Sequence, residues 1–195
     1  MIAIIDYGCG NIESVRSALA RLGCEYELTA DPDRIVAADK VLLPGVGNAA
    51  EAMRNLQRSG LPEVIRGLRK PVLGICVGMQ LMCRSSEEGL TEGMGVFDCS
   101  VRRFASEPGV KIPHMGWNSI ANLEGKLFKG IPEGAFVYFV HSFRPDLCCD
   151  TIATCRHGST LFSAALKYEN FYGTQFHPEK SGGTGAQILQ NFLAL

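Results

Sequence analysis

Pro71-Val72-Leu73-Gly74-Ile75-Cys76-Val77-Gly78-Met79-Gln80 is the stretch that decides how this chain folds. Val72, Leu73 and Ile75 make a short apolar run with the composition of a buried parallel strand, and Met79-Gln80-Leu81-Met82-Cys83 continues with helix-type residues. A strand therefore turns sharply into a helix, with a thiol at the turn. Glycines two residues before and two after Cys76 let a strained backbone pass close to its neighbours, which is the mechanics of a nucleophile elbow. At the start of the helix the unpaired N–H groups favour a thiolate and can stabilise an oxyanion. The alternative is a buried structural cysteine, a common state for a free thiol. The glycine bracket favours the nucleophile.

Towards the N-terminus the same alternation recurs. Ile2 to Ile5 reads as a strand, and Asp6-Tyr7-Gly8-Cys9-Gly10-Asn11 as a glycine-rich turn into a helix from Ile12 to Leu22, closed by Gly23. Cys24 to Leu28 is a second strand, Pro32 to Ala37 a short helix or turn, and Lys40 to Leu43 a third strand. Gly8-x-Gly10 lacks the third glycine and the distant acidic residue of a dinucleotide-binding fingerprint. The third strand runs into Pro44-Gly45-Val46-Gly47, after which Asn48 caps a helix to about Arg58, and Leu61 to Leu68 is a further helix. The two glycines around Val46 fit either a tight connection or an oxyanion-hole strand beside the elbow, since open α/β sheets gather their sites at the carboxyl ends of strands.

Beyond the elbow, residues 84–90 read as a polar loop in which Glu87 and Glu88 would ordinarily be solvated. Cys99 to Phe104 is a strand, and residues 112–118 are an irregular apolar segment carrying Trp117, for which a core anchor is one reading. Ala135 to Val140, Thr151 to Cys155 and Leu161 to Lys167 are strands, with antiparallel pairing expected at one edge. The last strand, Phe171 to Phe176, ends in His177-Pro178-Glu179, and Gly182-Gly183-Thr184 opens the terminal helix. His177 and Glu179 fall on one side of an extended chain held by Pro178, so the carboxylate can orient the imidazole. The alternative is a loop histidine beside a surface acid. The expected fold is α/β: an open, mostly parallel central sheet with flanking helices in three layers and a strand-rich antiparallel extension, in one domain spanning 1–195.

Composition excludes several classes of function. With 195 residues and a formal charge of -1, the chain has no basic excess for nucleic acid and no attraction to an anionic membrane surface. Its eight cysteines include the vicinal Cys148-Cys149 but no C-x-x-C pair, so no zinc or other metal site and no redox motif is expected. A core of this size needs no disulfide staples, Met1 leads directly into a strand without a signal peptide, and no apolar run has membrane length. A reducing cytoplasm is the expected location.

The elbow G-I-C-V-G-M-Q, the P-G-V-G strand end and the Q-F-H-P-E tail resemble class I (triad) glutamine amidotransferases. H-M-G-W-N at 114–118, Y-F-V-H-S-F at 138–143, S-S-E-E-G at 85–89 and D-Y-G-C-G-N at 6–11 are further similar to the glutaminase subunits of imidazole glycerol phosphate synthases. The resemblance runs from end to end, with Val77 and Phe143 as apolar-for-apolar departures. It implies a Cys76 nucleophile, His177 as acid and base, and Glu179 holding the imidazole. It further implies oxyanion donors from Val77 and the Gly45-Val46-Gly47 segment, substrate contacts from Gln80 and Glu88, and no cofactor. The implied partner is a separate cyclase subunit that receives the ammonia, with Asn11, Trp117 and Tyr138 at the interface. A liganded cyclase is expected to switch on a poorly active glutaminase by rotating a peptide plane at Val46. Three alternatives stand beside it: a stand-alone cysteine peptidase or γ-glutamyl hydrolase, a non-catalytic module, and a glutaminase serving a different synthase.

Overall fold

The computed structural model describes residues 1–8 and 10–195. Cys9, within the glycine-rich motif at 6–11, lies outside the described residues. Strand β1 (Ile2–Ile5) is buried throughout and leads to helix α1 (Ile12–Arg21). Then follow β2 (Tyr26–Thr29), α2 (Pro32–Ala37), β3 (Lys40–Gly45), α3 (Ala49–Arg58), α4 (Leu61–Gly67), β4 (Val72–Cys76) and α5 (Val77–Met82). Gly23, at φ +68°, takes the left-handed position that follows α1. Asn48 caps α3 by accepting from the N–H groups of Ala50 and Glu51, which supplies partners for two of the helix's free donors. The second strand starts at Tyr26 rather than Cys24, because Gly23 and the two residues after it complete the helix exit, with Cys24 N–H still bonded to Leu19 O.

The second half adds β5 (Cys83–Ser86), β6 (Thr91–Glu92), β7 (Phe97–Arg103), β8 (His114–Ser119), β9 (Phe136–His141), β10 (Phe143–Pro145), β11 (Thr151–His157), β12 (Thr160–Tyr168), β13 (Phe171–Thr174) and the terminal helix α6 (Gly182–Leu193). Among the described residues the main sheet has seven strands in the order β11-β12-β13-β4-β3-β1-β2. The five strands from β13 to β2 are parallel, and β12 and β11 add an antiparallel edge. Central β4 is buried at every position, which explains its unbroken apolar sequence. Its neighbours β3 and β13 bring the site together: Gly45 is in register with Cys76, and Thr174, in register with Ile75, leads three residues on to His177. No helix among the described residues is long and apolar enough to cross a membrane.

Two expectations are corrected. Residues 112–118 are largely not irregular: β8 pairs antiparallel with β9 along its whole length, from His114 opposite His141 to Ser119 opposite Phe136. Pairing with a distant, strongly β-prone strand overrides a local pattern interrupted by Pro113 and Gly116. Cys83, expected at the end of the elbow helix, and residues 84–86, expected at the head of a polar loop, form β5 between β6 and β7 in a four-stranded sheet, where ladder hydrogen bonds satisfy a polar sequence.

Candidate active site

Cys76 closes β4 and precedes α5 with φ 54° and ψ −112°, a conformation that an L-residue adopts at a cost of about 1–3 kcal/mol. The strain sits on the cysteine itself, while its glycine neighbours permit close packing. A Cβ on Gly78 would overlap the carbonyl of Leu43, and one on Gly45 would overlap the backbone of Val77 and Gly78. Only glycines allow β3 and the elbow to meet here. The Tyr7 hydroxyl donates to Pro44 O at 2.9 Å, anchoring the end of β3. The Cys76 sulfur lies 3.9 Å from Val140 O and 3.6 Å from Gln175 Nε2.

His177 and Glu179 meet by a route other than extended backbone. Pro178–Lys180 form a single helical turn that starts at the proline, and Lys180 N–H bonds back to His177 O at 3.0 Å. His177 Nδ1 still lies 2.7 Å from Glu179 Oε1, with both side chains 1% exposed. Ser181 Oγ donates to His177 O at 2.6 Å and accepts from Tyr138 N–H at 2.9 Å, while His177 N–H donates to Tyr138 O at 2.9 Å. The imidazole is thus held by the turn and by β9. Among the described residues its Nε2 is buried without a hydrogen-bond partner, as is Glu179 Oε2. Burial works to lower the His177 pKa, but the Cys76 sulfur and the Glu179 carboxylate beside the ring outweigh it and raise the value to about 10. The arrangement suits an imidazolium next to the Cys76 sulfur.

A cleft of about 300 Å³ opens over these groups, lined by Val46, Gly47, Cys76, Val77, Gln80, Glu88, Val140, His141 and His177. Glu88 Oε2 accepts from Ala49 N–H at 2.8 Å, and burial raises its pKa more than that bond lowers it. The neighbouring Glu87 instead bonds Arg103 N–H at 2.8 Å, so the two glutamates of the 84–90 segment separate into a cleft residue and a surface one. Gln80 donates to Phe143 O at 3.0 Å and to Gln175 Oε1 at 2.9 Å.

Trp117 and Tyr138 do not line the cleft. They oppose each other across the β8–β9 ribbon, ring centroids 6.1 Å apart, on a face where Met115 (62% exposed), Trp117 (55%) and Phe136 (58%) stand open. The core-anchor reading of Trp117 fails on that exposure. Asn11, half-buried, precedes α1 and caps it without a side-chain hydrogen bond. On the opposite face of the ribbon is a buried polar chain not anticipated from the sequence. Because a carbonyl only accepts, His141 Nδ1 carries the proton that meets Phe143 O at 2.8 Å; His114 Nδ1 then donates to His141 Nε2 at 2.9 Å, and Asn118 Nδ2 donates to His114 Nε2 at 3.1 Å. Gln175 was also missed. Period-two alternation in Q-F-H-P-E, which places it on the same side of the chain as His177, is the signal that could have found it. Among the described residues no cluster of three or more His, Cys, Asp or Glu side chains could hold a metal ion.

Residues 3–195 match the class-I glutamine amidotransferase family, and the chain belongs to that family. Within it the resemblance is narrower still. The chain is 52% identical over 195 residues to the imidazole glycerol phosphate synthase subunit HisH of Bacteroides thetaiotaomicron, covering 100% of this chain and 99% of the relative. It is 45% identical over 197 residues to the HisH subunit of Yersinia pestis, covering 100% and 99%. A crystal structure of a glutamine amidotransferase shares the fold with a TM-score of 0.75 at 17% identity, covering 100% of this chain and 98% of that one. Full-length similarity to HisH subunits counts against a stand-alone hydrolase or a different synthase.

Proposed function

We propose that this chain is the glutaminase subunit of an imidazole glycerol phosphate synthase. It hydrolyses L-glutamine to glutamate and ammonia and passes the ammonia to a separate cyclase subunit, which makes imidazole glycerol phosphate and aminoimidazole carboxamide ribonucleotide in histidine biosynthesis. The observation that carries the catalytic assignment is the state of His177: Nδ1 bonded to Glu179 at 2.7 Å, and Nε2 buried and unpartnered beside Cys76. Nε2 is thereby left free for proton transfer. The Cys76 sulfur attacks the carboxamide carbon, His177 gives its Nε2 proton to the departing ammonia, and the same nitrogen then takes a proton from the water that releases glutamate. Glu179 keeps Nδ1 protonated throughout. The Val77 N–H supplies one oxyanion donor and the Gly45-Val46-Gly47 segment the other, so a partner that reorients Val46 controls the rate. Gln80 and Glu88 hold the amino-acid end of glutamine, the carboxylate facing the α-ammonium group.

Ammonia released to water at neutral pH would be protonated and lose its nucleophilicity, so transfer needs a closed interface. The exposed aromatic face around Trp117 and Tyr138, with Asn11, is assigned to the cyclase, and all 195 residues act as one domain in the cytoplasm. The test is Cys76→Ser in the assembled complex. Glutamine-dependent synthesis should vanish, while synthesis from added ammonium salts stays at the wild-type rate, because the acceptor chemistry lies on the partner. Glutamine turnover surviving in this variant would remove Cys76 from the mechanism.

A further inference from the structure

Gln175 directly follows β13 and is wholly buried, with its N–H bonded to Ala164 O at 2.8 Å. Its carboxamide is engaged at both ends. Nε2 lies 3.6 Å from Cys76 Sγ, and Oε1 lies 2.9 Å from Gln80 Nε2. Phe143 O, which can only accept, takes the second Gln80 N–H at 3.0 Å. Both N–H groups of Gln80 are therefore committed to protein acceptors. Among the described residues nothing donates a hydrogen bond to its carbonyl oxygen, and the residue lines the cleft. The same bonds fix the orientation of the Gln175 amide: the Gln80 donor selects its oxygen, so its nitrogen faces the sulfur.

We infer that Gln175 is a positioning residue with two roles: its N–H steers the Cys76 sulfur, and its carbonyl turns the Gln80 amide so that an oxygen faces the substrate's α-ammonium group. The first role follows from what surrounds the sulfur. As a thiol, Cys76 can donate to Val140 O at 3.9 Å while accepting from Gln175. Once the proton has moved to His177, the Val140 carbonyl repels the thiolate and the Gln175 N–H attracts it, with a charge-assisted bond stronger than the neutral one. The sulfur is thereby drawn away from Val140 at the moment it attacks, and orientation of this kind contributes directly to rate. In the second role, an inverted Gln80 amide would point N–H groups at an ammonium group, two donors facing each other. Gln175 Oε1 and Phe143 O together exclude that orientation.

The inference rests on the assignment of Cys76 as nucleophile and glutamine as substrate. Three proteins test it in the assembled complex, by glutamine kinetics and by the rate of iodoacetamide alkylation at Cys76 followed by peptide mass spectrometry: wild type, Gln175→Met and Gln175→Glu. Gln175→Met has similar bulk and neither polar group, so it should raise the glutamine KM and slow alkylation, each about three- to tenfold for one lost hydrogen bond. Gln175→Glu keeps an acceptor for Gln80 but puts oxygen in place of the N–H. Its KM should stay within about twofold of wild type while alkylation slows. A residue that only fills space would not divide the two measurements, and Gln175→Glu alone decides if Gln175→Met does not fold. Unchanged alkylation in Gln175→Glu overturns the first role, and a raised KM in that variant overturns the second. Failure of the underlying assignment is distinguishable, because wild-type Cys76 would then resist alkylation or Cys76→Ala would still turn over glutamine.

Discussion

At the scale of single residues the site is made from side chains whose other bonds are already taken. Glu88 shows the pattern: Oε2 is committed to Ala49 N–H at 2.8 Å, which leaves Oε1 for the cleft. Burial raises its pKa, so the charged form lacks solvation that an incoming ammonium group can replace. Glu88→Gln should therefore raise the glutamine KM by at least about tenfold, the scale for a hydrogen bond to a charged group, with a smaller change in kcat. Steady-state kinetics of the assembled complex check this, and an unchanged KM would place Glu88 outside the substrate site. Residue-scale features were legible where the signal is local. Glycines at fixed offsets marked the elbow at Cys76, and H-P-E marked His177 with Glu179. Gln175 escaped because its partner lies 99 residues away in sequence: its period-two spacing from His177 is a local cue to its side of the chain, but does not reveal that contact.

Among the elements, the β8–β9 ribbon links the exposed surface to the chemistry. Its outer face carries Met115, Trp117, Phe136 and Tyr138, while the backbone of Tyr138 bonds both His177 N–H and Ser181 Oγ. An aromatic face this open is unusual for a lone surface, and exposed tryptophan and tyrosine are frequent anchors in protein interfaces. Trp117→Ala should weaken cyclase binding about thirtyfold or more, the effect of an interface hot spot, while the isolated subunit's Tm moves by less than about 3 °C because little buried area is lost. Calorimetric titration and a thermal melt give both numbers. A large Tm loss with normal affinity would return Trp117 to the core. The ribbon was only half legible. Ala135 to Val140 are β-prone enough to be read as a strand, whereas β8 contains Gly116 at φ +121° and becomes a strand only through its long-range partner.

For the molecule as a whole, the central sheet was readable because β1, β3 and β4 are apolar runs each followed by a helix, in chain order. The sheet order was not readable in the same way: β13 joins β4 across some hundred residues, and only the shared destination of Cys76 and His177 hinted at that pairing. The buried histidine chain is another consequence of long-range packing, and it ties stability to pH. His114 is held down to about 4 by burial and a neighbouring histidine's charge. His141 is held down to about 3, chiefly by burial, against the opposing effect of the Phe143 carbonyl. Both start from 6.5, so between that pH and about 4 the unfolded chain binds protons that the folded chain refuses. Stability must then rise with pH across this window and be lost as pH falls. Each histidine contributes up to about 1.4 kcal/mol per pH unit. His177 works in the opposite sense: with its pKa raised to about 10, its contribution is full below 6.5 and is lost as pH climbs towards 10. Together these place maximal stability near neutral pH. Urea unfolding at pH 6.0, 5.5 and 5.0 should show a slope approaching two protons, about 2.7 kcal/mol per pH unit. In His114→Gln, which removes one titrating ring but keeps an amide donor for the chain, the slope should drop by about half. A wild-type stability that is flat between pH 6.0 and 5.0 would mean that the pair takes up protons within the fold, and that the directional chain from Asn118 to Phe143 does not hold in solution.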